Sequence, residues 1–429
     1  MASRILGFAR DILIAASLGA GPVAQAFVAA FTLPNLFRRF FAEGAFNAAF
    51  VPMFSRRLEA EGSEAARRFA EEALAALTVF LLVFTLAAQA VMPWLVLALA
   101  SGFAGDERLP LATAMGRVAF PYILFISLAA LLSGVLNALG RFAAAAAAPV
   151  LLNLILIGAL GLAWAGLPAE TTLVGAPAAV GDRAGAWLVW GVAAAGVAQV
   201  ALVWRAAARA GMPLRLRAPR WTPELSRLAA IAFPAALSAG VMQINLVVGR
   251  QVASFFDGAV AWLYYADRLY QLPLGVIGVA VGVVLLPELA RRLTAGDAAG
   301  ARDAVSRSAE FSLALALPAA VALIAIPGPI VSVLFGRGAF GEADAAATAL
   351  AVAIYGAGLP VFMLAKVAQP IFFAREDTRT PFRAALWGMA ANAAIAVGLS
   401  PVMGFSACAL ATTLSGALTL WLLRRAALR

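Results

Sequence analysis

A chain of 429 residues that is 63% hydrophobic and only 13% charged does not read as a soluble domain, in which about a quarter of residues carry charge. Its net charge of +10 comes from 32 basic residues against 22 acidic ones, every base except Lys366 being arginine. With no histidine and one cysteine, Cys408, the chain lacks the commonest transition-metal ligand and the usual neutral-pH proton shuttle, and it cannot form an internal disulfide.

Apolar stretches of about 20 residues cross a bilayer, and twelve are expected. The first, over 3–20, carries Arg4, Arg10 and Asp11 and begins almost at Met1, so no cleavable signal peptide is read. The second, over 23–54, holds Arg38, Arg39 and Glu43 together with the helix breakers Pro34, Gly44 and Pro52. Crossings over 70–100 and 110–139 follow, with Arg117 near the start of the latter, then 145–165 and 185–206. A basic connection over 205–227 leads to the seventh crossing, 226–256, which contains Arg250. The eighth, 259–289, carries Asp267 and Arg268 and the breakers Pro273, Gly275, Gly278, Gly282 and Pro287. Trp262, Tyr264 and Tyr265 stand near its outer end, where an interfacial aromatic belt is expected. The last four lie over 306–326, 344–373 (with Lys366), 382–402 and 405–423 (with Cys408).

The connections after even-numbered crossings hold Arg56, Arg57, Arg67 and Arg68; Arg141; Arg205, Arg209, Arg215, Arg217, Arg220 and Arg227; Arg291, Arg292, Arg302 and Arg307; and Arg375, Arg379 and Arg383. The C-terminal end adds Arg424, Arg425 and Arg429, whereas the opposite side has only Arg108, Arg183 and Arg337. The positive-inside rule then places both termini in the cytoplasm. This placement accounts for most of the basic excess, and no nucleic-acid partner is expected.

An offset of 235 lays VPMFSRRL (51–58) on LPELARRL (286–293), and an offset of 239 lays Pro121 on Pro360 and Asn153 on Asn392. Two similar offsets predict two six-helix lobes, 1–209 and 210–429. Because six is even, the repeats are parallel, as in other two-lobed transporters that work by alternating access. The fold class expected is therefore all-α: a polytopic membrane protein of about twelve helices in two lobes with a central cationic cavity.

A charge at membrane depth costs at least ~2.5–3.5 kcal/mol and therefore faces a partner or water. Arginine's planar fork matches phosphate oxygens in bidentate geometry, so Arg10, Arg38 and Arg268 are the foremost candidates for holding an anionic substrate. Arg4, near the cytoplasmic end, could also simply snorkel. Arg38 and Arg39 point about 100° apart, one toward substrate and the other toward a structural partner. Asp11, Glu43 and Asp267 are the supporting acids. Asp11 and Asp267 each adjoin an arginine in sequence, and each is expected to pair with another helix instead. Asn392, Thr412 and Thr413 offer neutral oxygens only, a weak case for sodium. No Asp-rich motif for magnesium or general-base chemistry is present, so neither an enzyme nor a cofactor is expected.

The runs SRILGFARD (3–11), LPNLFRRFFAEGAFNAAFVP (33–52), FPYILFISLAALLSGVLNALGRF (120–142) and YYADRLYQLPLGVIGVAVGVVLLP (264–287) resemble the lipid II flippase family, MurJ (MviN), of the multidrug/oligosaccharidyl-lipid/polysaccharide (MOP) exporter superfamily. The resemblance implies a transporter of the bacterial inner membrane. It would move undecaprenyl-diphosphate-linked peptidoglycan precursor from the cytoplasmic to the periplasmic leaflet. It places the family's substrate arginines on Arg4, Arg10, Arg38 and Arg268, with Asp267 beside the last. It also implies lipid II and membrane lipids as partners, and leaves room for a coupling ion and cell-wall synthesis proteins. Gln25 and Gln271 stand where the family often has acids. The two final helices usual in the family have no counterpart in these 429 residues. The rival readings are a flippase for another polyprenyl-diphosphate oligosaccharide and, further off, a multidrug/cation antiporter, which would want acids where this chain has arginines.

Overall fold

The computed structural model describes residues 2–41, 45–167, 183–241, 244–375 and 377–427. Among them seventeen α-helices are found: α1 (Ala2–Leu18), α2 (Pro22–Phe41), α3 (Ala45–Ala60), α4 (Ser63–Ala90), α5 (Met92–Leu99), α6 (Arg108–Ala119), α7 (Tyr122–Ala138), α8 (Ala143–Trp164), α9 (Arg183–Arg209), α10 (Pro223–Val241), α11 (Ile244–Ala253), α12 (Ala259–Thr294), α13 (Ala298–Ala325), α14 (Pro327–Phe335), α15 (Glu342–Phe373), α16 (Arg379–Met403) and α17 (Ser406–Ala427). The described residues form no strand, so the protein is all-α.

Three expected crossings are broken at described residues, α4 with α5, α6 with α7, and α13 with α14, while α2 and α3, and α10 and α11, are separated by residues outside the described ones. Eight stretches are long and apolar enough to span a bilayer among the described residues. The other four expected crossings, over 3–20, 23–54, 226–256 and 259–289, are those that carry most of the interior charge. In two of them the described helices are of 20 and 16 and of 19 and 10 residues. Proline explains two of the three breaks. It lacks an N–H and clashes with the carbonyl four residues back, and the chain leaves helical geometry at Val91 before Pro93 and at Ile326 before Pro327.

These two breaks also carry the repeat. The offset of 235 that aligns Pro52 with Pro287 takes Val91 to Ile326. On either side of the break, helices of 28 and 8 residues in one half match helices of 28 and 9 in the other.

By packing, the chain divides into a unit over Met1–Gln243 and a unit over Ile244–Arg429. This division falls one helix segment beyond the expected 209/210 boundary, with α10 packing on α3 and α2. In the first unit α8 and α7 lie against α9, and α2 against α6. Phe50, Phe54, Phe69, Leu74 and Leu132 make an apolar core that also takes in Met212 and Leu214 of the α9–α10 connection. Phe50 stacks on Phe69 at 5.5 Å. In the second unit α15 is the central helix, touching α12, α13 and α17, and α16 packs on α17. The chain turns from α11 into α12 at Gly258 (φ +79°), where the Trp262 ring lies against the position a Cβ would occupy. Glycine is required there on both counts. The outward faces of the spans remain apolar: Val83 and Leu86 on α4 and Val321 on α13 are well exposed, as suits contact with lipid tails.

Candidate functional site

In the first unit, α1 packs on α8 and buries Arg10 and Asp11 (7% and 1% exposed). The Arg10 Nε and Nη2 both donate to Asp11 Oδ1, at 2.9 and 2.6 Å. Its Nη1 donates to Asn153 Oδ1 at 2.9 Å, and its Cζ stands 5.7 Å from the Phe31 ring centroid, within cation–π range. The expectation that Asp11 pairs with another helix is therefore corrected. Neighbouring side chains leave a helix about 100° apart, but the arginine stem is long enough to fold the fork back, and an uncompensated buried charge is costly. Arg4 is exposed on the same helix, and Arg38 is half-buried on α2. The side chain of Arg39 and all of Glu43 lie outside the described residues.

In the second unit, Asp267 and Arg268 are half-buried on α12. The Arg268 Cζ lies 4.5 Å from the Tyr264 ring centroid. Asp267 accepts a hydrogen bond from Gln271 Nε2, one turn along the same helix, not from another helix as expected. Gln271, where the family often has an acid, thus serves as that carboxylate's donor. The aromatic-belt expectation fails for two of its three members. Tyr264 and Tyr265 are 7% and 0% exposed, and Tyr265 packs on Phe335 and Phe340 at 5.4 and 5.5 Å. Trp262 Nε1 donates to Asp344 Oδ1 at 2.8 Å. Asn392 is buried, with Nδ2 donating to Ser415 Oγ at 3.3 Å and Thr412 Oγ1 at 3.4 Å, while Thr413 Oγ1 donates to the Ile354 carbonyl. Lys366 is exposed.

Two buried charges were not singled out from the sequence. Arg108, counted among the outer-loop bases, is 8% exposed. Its Nε donates to Asp106 at 2.8 Å, its Nη1 to Gln25 Oε1 at 3.1 Å and its Nη2 to the Gly102 carbonyl at 3.1 Å, and it lies over the Phe103 ring. Burial raises the Asp106 carboxyl, but bonds from the Arg108 side chain and backbone N–H outweigh this and hold it below the usual carboxylate range. The second is Glu71, fully buried on α4. It accepts the Arg215 backbone N–H at 3.0 Å and pairs with Arg217 Nε at 2.5 Å and with Arg67 at 3.7 Å. Beside it Thr222 Oγ1 donates to Glu72 at 3.1 Å, and Arg57 bridges to Glu224 at 3.1 Å. The basic α9–α10 connection is thereby strapped to the first unit. Neither Asp106 nor Glu71 lies in a recognisable sequence motif, and only the packing of the connections discloses either cluster.

An all-α chain with eight described stretches long and apolar enough to cross a bilayer is a polytopic α-helical membrane protein. The fold agrees: a lipid II flippase MurJ in an inward-closed conformation superposes with a TM-score of 0.82 at 23% identity, covering 100% of this chain and 86% of the other. An inward-facing multidrug resistance MATE family transporter of the MOP superfamily gives 0.77 at 15% identity, with 99% and 94% covered. Residues 14–429 match the family described as lipid II flippase MurJ. The probable lipid II flippase MurJ of Rhizobium tropici is 49% identical over 97% of this chain and 76% of its own length. The lipid II flippase MurJ of Burkholderia cenocepacia is 36% identical over 90% and 73%. The chain belongs to the MurJ family of lipid II flippases.

Proposed function

We infer that this multi-pass membrane protein translocates lipid II from the cytoplasmic to the periplasmic leaflet of a bacterial inner membrane by alternating access, with both termini in the cytoplasm. The observation that carries the reading is the Arg10 fork, 7% exposed and paired with the Asp11 carboxylate. A dianionic sugar-bearing headgroup cannot cross ~30 Å of hydrocarbon unaided. A guanidinium pre-oriented on a carboxylate offers phosphate the same two-donor edge. Asp11 keeps the empty protein free of an unpaired buried charge, and the diphosphate takes its place. In this reading Arg4, Arg38 and Arg268 also contact the headgroup during the cycle, and Arg39, Asp11, Glu43 and Asp267 orient them. The polyprenyl tail stays in lipid. Each positive charge displaced across the membrane potential contributes ~2.3 kcal/mol per 100 mV, enough to bias return of the empty carrier. A coupling ion and cell-wall synthesis proteins are further partners compatible with this cycle.

The test is complementation in cells depleted of their own lipid II flippase. Arg10→Ala, Arg38→Ala and Arg268→Ala, made singly, should each abolish rescue at unchanged protein level. Normal growth of all three would overturn the assignment.

A further inference from the structure

The arginine that carries the proposed function is itself held by a residue on another helix. Asn153 of α8 is 4% exposed. Its Oδ1 accepts from Arg10 Nη1 at 2.9 Å and its Nδ2 donates to the Ser3 carbonyl at 2.9 Å. A guanidinium only donates and a backbone carbonyl only accepts, so one orientation of the amide satisfies both partners and the flipped one satisfies neither. Ser3, Gly7 and Arg10 lie on one face of α1, spaced by four and three residues. At Gly7 an added Cβ would stand 3.5 Å from Asn153 Nδ2, so the amide lies flat along that face. Its anchor is main chain, which stays in place whatever happens to Asp11.

The geometry divides the Arg10 donors into two sets. Nη1 goes to Asn153, while Nε and Nη2 together go to Asp11. The Nε–Nη2 edge is the one suited to a bidentate phosphate, and it is the edge released when an anion displaces Asp11. We propose that Asn153 is a positioning residue: it grips Arg10 by Nη1 so that the Nε–Nη2 edge meets the substrate's diphosphate in place of Asp11. This rests on the reading of Arg10 as a diphosphate ligand.

The experiment is equilibrium binding of lipid II to the purified full chain in detergent. The variants are Asn153→Ala, Asn153→Asp, Arg10→Ala and the double Arg10→Ala/Asn153→Ala. Loss of a hydrogen bond to a charged group predicts affinity about tenfold weaker in Asn153→Ala. In the Arg10→Ala background the same change should cost nothing further, because the pair acts as one unit. Asn153→Asp keeps the size of the side chain but sets a second carboxylate on Arg10 and faces the Ser3 carbonyl with an acceptor. It should bind at least as weakly as Asn153→Ala, and it decides the matter if Asn153→Ala does not fold. Parental affinity in the Asn153 variants alongside weakened Arg10→Ala would overturn the proposal, as would an equal Asn153→Ala penalty in both backgrounds, which would mark a merely structural role. Parental affinity in Arg10→Ala would instead overturn the reading of Arg10 on which it rests.

Discussion

The two asparagines related by the repeat do different work. Asn153 in the first unit binds a buried arginine and the helix that carries it. Asn392 in the second binds only hydroxyls, Ser415 and Thr412, on the neighbouring helix α17. The same contrast recurs on α4 and α13. The offset of 235 takes the fully buried Glu71 to Ser306, which is exposed, and Arg67 to Arg302, also exposed. At these matching positions the first unit gives Asn153, Glu71 and Arg67 ionic partners, while the second leaves Arg302 and Ser306 exposed and gives Asn392 hydroxyl partners. The lesson is that the repeat conserves where the backbone bends, while burial of charge is decided locally by what packs over each position.

The strongest way to break this comparison is to remove a buried counter-charge from the first unit and a neutral partner from the second. Asp11→Ala removes the carboxylate that accepts from Arg10 Nε and Nη2, and breaking a buried pair in this way costs about 3 kcal/mol or more. Asn392→Ala loses hydrogen bonds between neutral groups and should cost about 1 kcal/mol. Thermal unfolding of the two variants in the same detergent measures the difference. Equal losses would mean that the first unit gains nothing from its charge pair that hydroxyls do not supply in the second.

A smaller effect is expected at the strap. Glu71→Ala removes the acceptor for the Arg215 N–H and the partner of Arg217 and Arg67. The Arg217 and Arg67 heads reach solvent (side chains 51% and 21% exposed) and can rehydrate, so the cost is about 2 kcal/mol, below that of a fully enclosed pair. Limited proteolysis should then cut within 213–222 faster than in the parent. Ser306→Ala, at the matching position of the second unit, should leave both stability and cleavage unchanged.

These contrasts also mark what the amino-acid order discloses. Length and hydropathy identify eight spans among the described residues, and proline chemistry accounts for the breaks before Pro93 and Pro327, which are not among the expectations drawn from the sequence. Arg10, Arg38 and Arg268 stand out because charge at membrane depth is expensive wherever it lies. What does not follow is which way a charge turns. The Arg10–Asp11 pair defies the rule that adjacent residues diverge, since that rule describes Cβ directions and not the reach of a four-bond stem. Tyr264 and Tyr265 sit at a depth that suits an interfacial belt, but depth says nothing about which face of α12 is covered, and Phe335 and Phe340 cover it. Arg108 and Glu71 are buried by connections whose path has no periodicity to read.

The smallest effect separates a connection of the first unit from one of the second by pH. Asp106 is held below the usual carboxylate range because Arg108 outweighs its burial. Asp297, which caps α13, is held down first by the Gly300 backbone N–H and then by Arg292. A carboxyl whose folded pKa is depressed contributes stability that is fully present above its unfolded value, about 3.9, and that is lost as pH falls through the folded pKa. Neither aspartate should therefore make stability vary with pH between pH 7 and about pH 5, where each contribution is fully present. Below that, the Tm difference between the parent and Asp106→Asn should shrink toward zero, since the parent then carries a neutral group at the same place. Asp297→Asn keeps an N-cap acceptor and sheds only a solvent-screened pair, so its Tm should track the parent closely at every pH. A larger pH-dependent difference at Asp297 than at Asp106 would show that exposure, and not the enclosing of Arg108, sets the strength of these pairs.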